Sequence, residues 1–217
     1  RDGGYPLLLT GYGSYRFMLW NLGLAIIPLL SMYLSNRLDL QGRRLPALAA
    51  ALLAVLFLPN ATYMITDLMH LRSSTAAPIW FDALMMFSFA AAGVALFYLT
   101  LFRLEEMLRR RFTGPVAVSM VFLVIQLSAF GVYLGRYMRF NSWDIVSNPA
   151  GLFVEIAHRF VQPFDHPRTW AMTLGYGFLL TVGYLLLKLN ADKQTGIPEN
   201  KPADARQFTA ENSNRIS

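Results

Sequence analysis

Five stretches of this chain are each apolar for long enough to cross the hydrocarbon core of a bilayer as a helix. That core is about 30 Å thick and needs roughly 20 consecutive apolar helical residues. Runs of that kind fall at 17–34, 46–65, 79–102, 116–135 and 170–188. In lipid every main-chain polar group must bond inside its own segment or close a barrel, so long apolar runs of this type can only be helices. Pro28, inside the first run, is compatible with this because neighbouring helices can satisfy the carbonyl it frees. Composition agrees, since 55% of the 217 residues are hydrophobic and 15% charged, at a mean hydropathy of +0.38. The expected fold is all-α: a polytopic transmembrane helical bundle of about five spans plus one extracytoplasmic interfacial helix. One transmembrane domain is expected over 1–189. The polar, aromatic-poor stretch 190–217 is expected to be a disordered tail.

Basic residues set the orientation, because short loops rich in Lys and Arg stay on the cytoplasmic side. The first loop carries Arg37, Arg43 and Arg44 and the third carries Arg103, Arg109, Arg110 and Arg111, whereas the second holds Arg72 alone. Loops one and three are therefore expected inside, with the N-terminus and loops two and four outside and the C-terminus inside. Trp20, Trp80, Trp143 and Trp170 all fall near the outer boundary, where an amphipathic indole prefers to sit.

Loop four is long and contains "NPAGLFVEIAHRFVQP". Asn148 can cap a helix with Pro149 at its first position, and Leu152, Phe153, Ile156 and Phe160 form an apolar stripe opposite Glu155 and Arg159. An amphipathic helix at 149–161, placed between two spans, is expected to lie in the interface plane.

The polar residues gather at one end. "FLPNATYMITDLMHLR" starts as apolar as a span and then delivers Asn60, Asp67 and His70 toward the outer surface. Asp82 opens the third span at that level, Arg136 closes the fourth, and Arg139, Asn141 and Asp144 follow. These residues define a shallow outer basin. Asp67, His70 and Asp82 are its candidate acid, base or metal groups, and Asn60, Arg136, Arg139, Asn141 and Asp144 its candidate ligand-binding groups.

The segments "FLPNATYMITDLMHL", "IWFDALM" and "YLGRYMRFNSWD" followed by "NP" resemble the bacterial multi-pass membrane family filed as domain of unknown function 1361. The resemblance covers about Tyr15 to Leu189. It implies a helical protein of the bacterial cytoplasmic membrane and brings no established chemistry with it.

Each motif also has a plainer role. Pro59 and Asn60 can break and recap the second span, Asp67 and Asp82 can pair with Arg136 to close the bundle, and Gly131 with Gly135 has the spacing that lets helices approach closely. A metal reading rests on Asp67 with His70 and Glu155 with His158, two carboxylate-x-x-His pairs that each project from one helical face. No cofactor is indicated by the pattern. Cys is absent, as are a phosphate-cradling glycine loop and a G-x-S-x-G elbow, so thiolate chemistry, nucleotide hydrolysis and that type of serine hydrolysis lose support.

Net charge is +6, spread over loops on both sides; the expected partners are the lipid bilayer, anionic lipid or a membrane protein, not nucleic acid. Three functions fit the pattern. The first is an outer basin that binds or processes an amphiphilic or lipid-linked anionic substrate. The second is a non-enzymatic membrane-complex subunit or assembly factor whose polar cluster is a structural brace, and the third is a transporter.

Overall fold

The computed structural model describes residues 8–67, 79–138, 147 and 149–195, and the side chains of all of these except 8–17, 67, 192, 194 and 195. It contains six α-helices and one turn of 3-10 helix among these residues. They are α1 (Leu8–Leu40), α2 (Arg44–Asp67), α3 (Ile79–Arg109), α4 (Gly114–Tyr137), α5 (Pro149–Val161), the 3-10 turn Pro163–Asp165 and α6 (Pro167–Thr195). Five are long and apolar enough to cross a membrane: Met18–Leu40, Arg44–Thr66, Ile79–Arg109, Gly114–Tyr137 and Pro167–Ala191. The protein is an integral, multi-pass membrane protein with the all-α bundle architecture the apolar runs require.

The helices overrun the runs read from sequence, because a span needs apolar residues only where it meets hydrocarbon. α3 continues to Arg109 instead of ending near Phe102. α6 continues through Thr195, so residues 190–195 are helical; positions 196–217 lie outside the described residues.

Two compact units divide the chain, Arg1–Leu179 and Leu180–Ser217. Within the first, α1 and α2 form the most extensive pair, and α3 packs on both. The α1–α2 turn closes tightly. Gly42 takes a φ of 75°, which glycine adopts without steric cost. The Gly42 amide donates to Asp39 O at 2.9 Å and the Arg43 amide to Leu38 O at 2.9 Å, a paired closure that satisfies the last carbonyls of α1. Ser35 Oγ then ties α1 to α2 through Ala47 O at 2.7 Å.

Close packing continues where α2 meets its later neighbours. A Cβ at Gly93 of α3 would lie 2.1 Å from the Ala61 carbonyl oxygen, and one at Gly131 of α4 would lie 2.6 Å from Pro59 Cγ. Small residues allow this approach, which gives membrane helices the van der Waals contact that the hydrophobic effect cannot supply in lipid. Tyr176 of α6 adds a polar tie, donating from its hydroxyl to Thr62 O at 2.8 Å.

The helix expected over 149–161 is present as α5 with those bounds, but its faces differ from the expectation. Leu152 and Ile156 pack on the cluster Phe130, Tyr133 and Leu134 of α4, as an apolar stripe should. Arg159, assigned to the opposite polar face, is instead 5% exposed, while Phe153 and Phe160 are exposed. Aromatic and sulfur acceptors on α4 make the difference. The Arg159 guanidinium sits 5.8 Å from the Tyr133 ring centroid and its Nη2 lies 3.0 Å from Met138 Sδ.

Candidate functional site

Pro59 interrupts the hydrogen-bonding ladder of α2 at the point where its polar residues begin. Side chains add local bonds to the helix around it. Asn60 Nδ2 donates to Phe57 O at 3.1 Å, Thr62 Oγ1 to Pro59 O at 3.3 Å and Thr66 Oγ1 to Tyr63 O at 2.6 Å. Asn60 thus makes a bond within its own helix, as a residue after a proline can.

Arg136 stands in the last turn of α4. Its Nη2 donates to Thr66 O at 2.9 Å, and its Cζ lies 5.6 Å from the Tyr63 ring centroid. A cation at the carbonyl end of α2 is favoured both by the hydrogen bond and by the partial negative charge of that terminus. Asp82 is in the first turn of α3 and only 7% exposed. There its carboxylate faces the opposite end of a helix dipole, which favours the anion. Gly93 packs on Ala61 and Arg136 bonds to Thr66, so the C-terminal half of α2 is in contact with both α3 and α4.

α5 brings a second arginine to the C-terminal end of α4. Arg159 Nη1 donates to Glu155 O at 2.7 Å and forms an ion pair with Glu155 Oε2. Burial works against its charge, but the Glu155 carboxylate and the Tyr133 hydroxyl more than offset that, and its pKa lies above the ordinary guanidinium value. Tyr133 stacks on Tyr137 at 5.2 Å, so the C-terminal end of α4 presents an aromatic pair flanked by guanidiniums. Near the start of α6, the Thr169 and Thr173 hydroxyls and Trp170 Nε1 are buried with no hydrogen-bond partner among the described residues, as is Arg159 Nε.

Glu155 and His158 each contact a different neighbour. Glu155 is engaged by Arg159, and His158 Nδ1 lies 2.8 Å from His166 Nε2, an imidazole pair on the surface. Among the described residues no three metal-ligating side chains converge. Asp67 is the last residue of α2, its side chain outside the described ones, and His70, Arg139, Asn141 and Asp144 also lie outside the described residues.

The opposite end of the bundle holds a network that sequence reasoning used only for orientation. Tyr33, Asn36 and Asp39 follow one another along a face of α1 and meet Arg103 and Arg110, two turns apart on α3. Asn36 Nδ2 donates to Arg103 O at 3.1 Å, Arg103 Nη2 to the Tyr33 hydroxyl at 3.3 Å and Arg110 Nε to Asp39 Oδ2 at 3.3 Å. Glu106 bridges Arg103 and Arg110, at 3.1 and 3.3 Å. The spacing of these residues is the signal that could have found them.

The family described as Protein of unknown function (DUF1361) matches residues 20–182. No curated protein and no solved structure matches the chain.

Proposed function

The chain belongs to this uncharacterised family, and for it we propose an outer-face site that binds or processes an amphiphilic or lipid-linked anionic substrate. The observation that carries the reading is Asp82, a carboxylate 7% exposed in the first turn of a span, in a bundle whose α4 ends on the fixed guanidinium of Arg136. Buried charge at the end of a membrane helix is costly and concentrates where it is used. Arg136 is the anion clamp, held in orientation by Thr66 and Tyr63. Asp82, Asp67 and His70 are the acid, base or metal groups. The exposed Phe153, Val154 and Phe164 at and beside α5 give an amphiphile an apolar surface beside the charged groups.

One contact favours a second reading, in which the protein is a non-enzymatic subunit and the cluster a brace: the Arg136 bond to Thr66 O ties α4 to α2 whether or not a substrate binds. A double mutant separates the two. A deletion strain complemented with Asp67→Asn or Asp82→Asn should keep the loss phenotype while the variant protein remains folded in detergent. Asp67→Asn combined with Arg136→Gln should stay inactive if these groups serve a substrate. Full recovery of both phenotype and thermal stability in the double mutant would overturn the site and establish the brace.

A further inference from the structure

At the loop-one and loop-three end, α1 and α3 leave between them a recess of about 500 Å³ lined by Tyr33, Asn36, Arg37, Arg103, Glu106 and Arg110, with Leu34 and Leu40 at its apolar edge. Three guanidiniums there stand against one carboxylate. Asp39, next to the recess, is occupied by Arg110 and Arg111. Arg103 and Arg110 are held in place by Glu106, Tyr33 and Asn36, and Arg103 also lies over the Tyr33 ring at 4.9 Å. Arg37 is different. It lines the same recess, is exposed, and makes no side-chain hydrogen bond or ion pair among the described residues. A guanidinium without a carboxylate beside two that are pre-positioned is an arrangement that takes a tetrahedral oxyanion, since arginine offers paired donors in a fixed fork.

The surroundings specify the source of that anion. Leu34, beside Tyr33, is 52% exposed on the surface of a membrane-spanning helix, on the membrane side of the arginines. A phosphate in the recess would thus have its hydrocarbon tails along α1. The concentration of arginine in loops one and three also puts this end in the leaflet that is rich in anionic lipid.

We infer that the recess between α1 and α3 is a binding site for the phosphate group of an anionic membrane phospholipid, with Arg37 as the ligating side chain left open and Arg103 and Arg110 as its fixed partners. The site is separate from the outer one and does not depend on it.

The test uses the full chain in detergent, titrated with phosphatidylglycerol or phosphatidylcholine and read by native mass spectrometry of lipid adducts, with thermal unfolding as the check on folding. Phosphatidylglycerol should bind more tightly than phosphatidylcholine. Arg37→Gln should weaken phosphatidylglycerol by about fivefold, the worth of one cation near a membrane surface. Lys193→Gln, which removes one positive charge from the last turn of α6, should bind as the native chain does. Glu106→Gln supplies a gain that misfolding cannot mimic, because it removes the one carboxylate that competes with phosphate while Tyr33, Asn36 and Asp39 still hold Arg103 and Arg110, and it should tighten phosphatidylglycerol. Equal binding of the two lipids, or an Arg37→Gln variant that binds like the native chain, would overturn the site. Inorganic phosphate that stabilises the chain as much as the lipid does would overturn the assignment to lipid in favour of a free anion.

Discussion

The guanidinium of Arg136, at the end of α4, donates to the main-chain carbonyl of Thr66, at the end of α2, across 2.9 Å. Pro59 has already broken the ladder of α2 below this point, so the terminal turns of that helix depend on side chains from within and without for their order. The same bond also fixes where the cation points.

Arg136→Lys tests this contact. A lysine keeps the charge but loses the planar fork that reaches Thr66 while lying over Tyr63. The expected cost is about 1.5 kcal/mol, the lower end for a hydrogen bond from a charged donor. A fall in the unfolding midpoint in detergent would register it.

The glycines predict a graded series. Gly93→Ala forces a methyl against the Ala61 carbonyl, main chain that cannot step aside, and should cost at or beyond about 3 kcal/mol. Gly131→Ala meets the Pro59 ring, which can change pucker, and should cost about 1 to 3 kcal/mol. Gly23→Ala has nothing within 4 Å and should be neutral or stabilising. Denaturant or thermal unfolding of the three in one detergent gives the order, and a Gly131→Ala variant as stable as Gly23→Ala would remove the α2–α4 contact from the account.

Arg159→Met should stay within about 1 kcal/mol of the native stability, because an apolar side chain of similar length can pack on Met138 and Tyr133 while exposed Glu155 rehydrates. Arg159→Ala should cost more, through lost packing. The raised pKa fixes the sign of the pH dependence. A group held above its unfolded value contributes fully below that value and loses the contribution only as pH climbs through the folded one. For a guanidinium both lie far above neutrality, so the stability difference between the native chain and Arg159→Met that arises from this charge should be the same at pH 6 and pH 9.

Orientation is checked by labelling. Single cysteines at Ser74 and Ser147 should react with an impermeant thiol reagent in intact cells, and one at Gln41 should not. Reaction at Gln41 alone would invert the topology.

The spans and α5 were legible because burial in lipid is written as unbroken apolar length and because amphipathic spacing survives in a single helix. The bounds of α5 and the close approach at Gly131 follow from local pattern. The burial of Arg159 does not. Arginine opposite an apolar stripe reads as solvated, and only the arrival of Tyr133 and Met138 from another helix makes a buried place for it. The same holds for Tyr33, Asn36 and Asp39. Their repeat marks one face of α1, but which helix that face meets is a property of the pair, so the arginines of α3 could be read as an orientation signal and not as a network.

α3 carries buried Asp82 in its first turn and Arg103, clasped to Tyr33, near its far end. At about 1.5 Å per residue, the helix between them measures roughly 32 Å, close to the hydrocarbon thickness of an ordinary bilayer. Both charges belong to one uninterrupted helix, so their separation cannot adjust. A thinner bilayer would have to be met by tilting the whole bundle and a thicker one by drawing lipid inward around the ends, each at a cost that rises with every ångström of mismatch. The pair acts as a ruler, and membranes of different thickness become unequal hosts for the same chain.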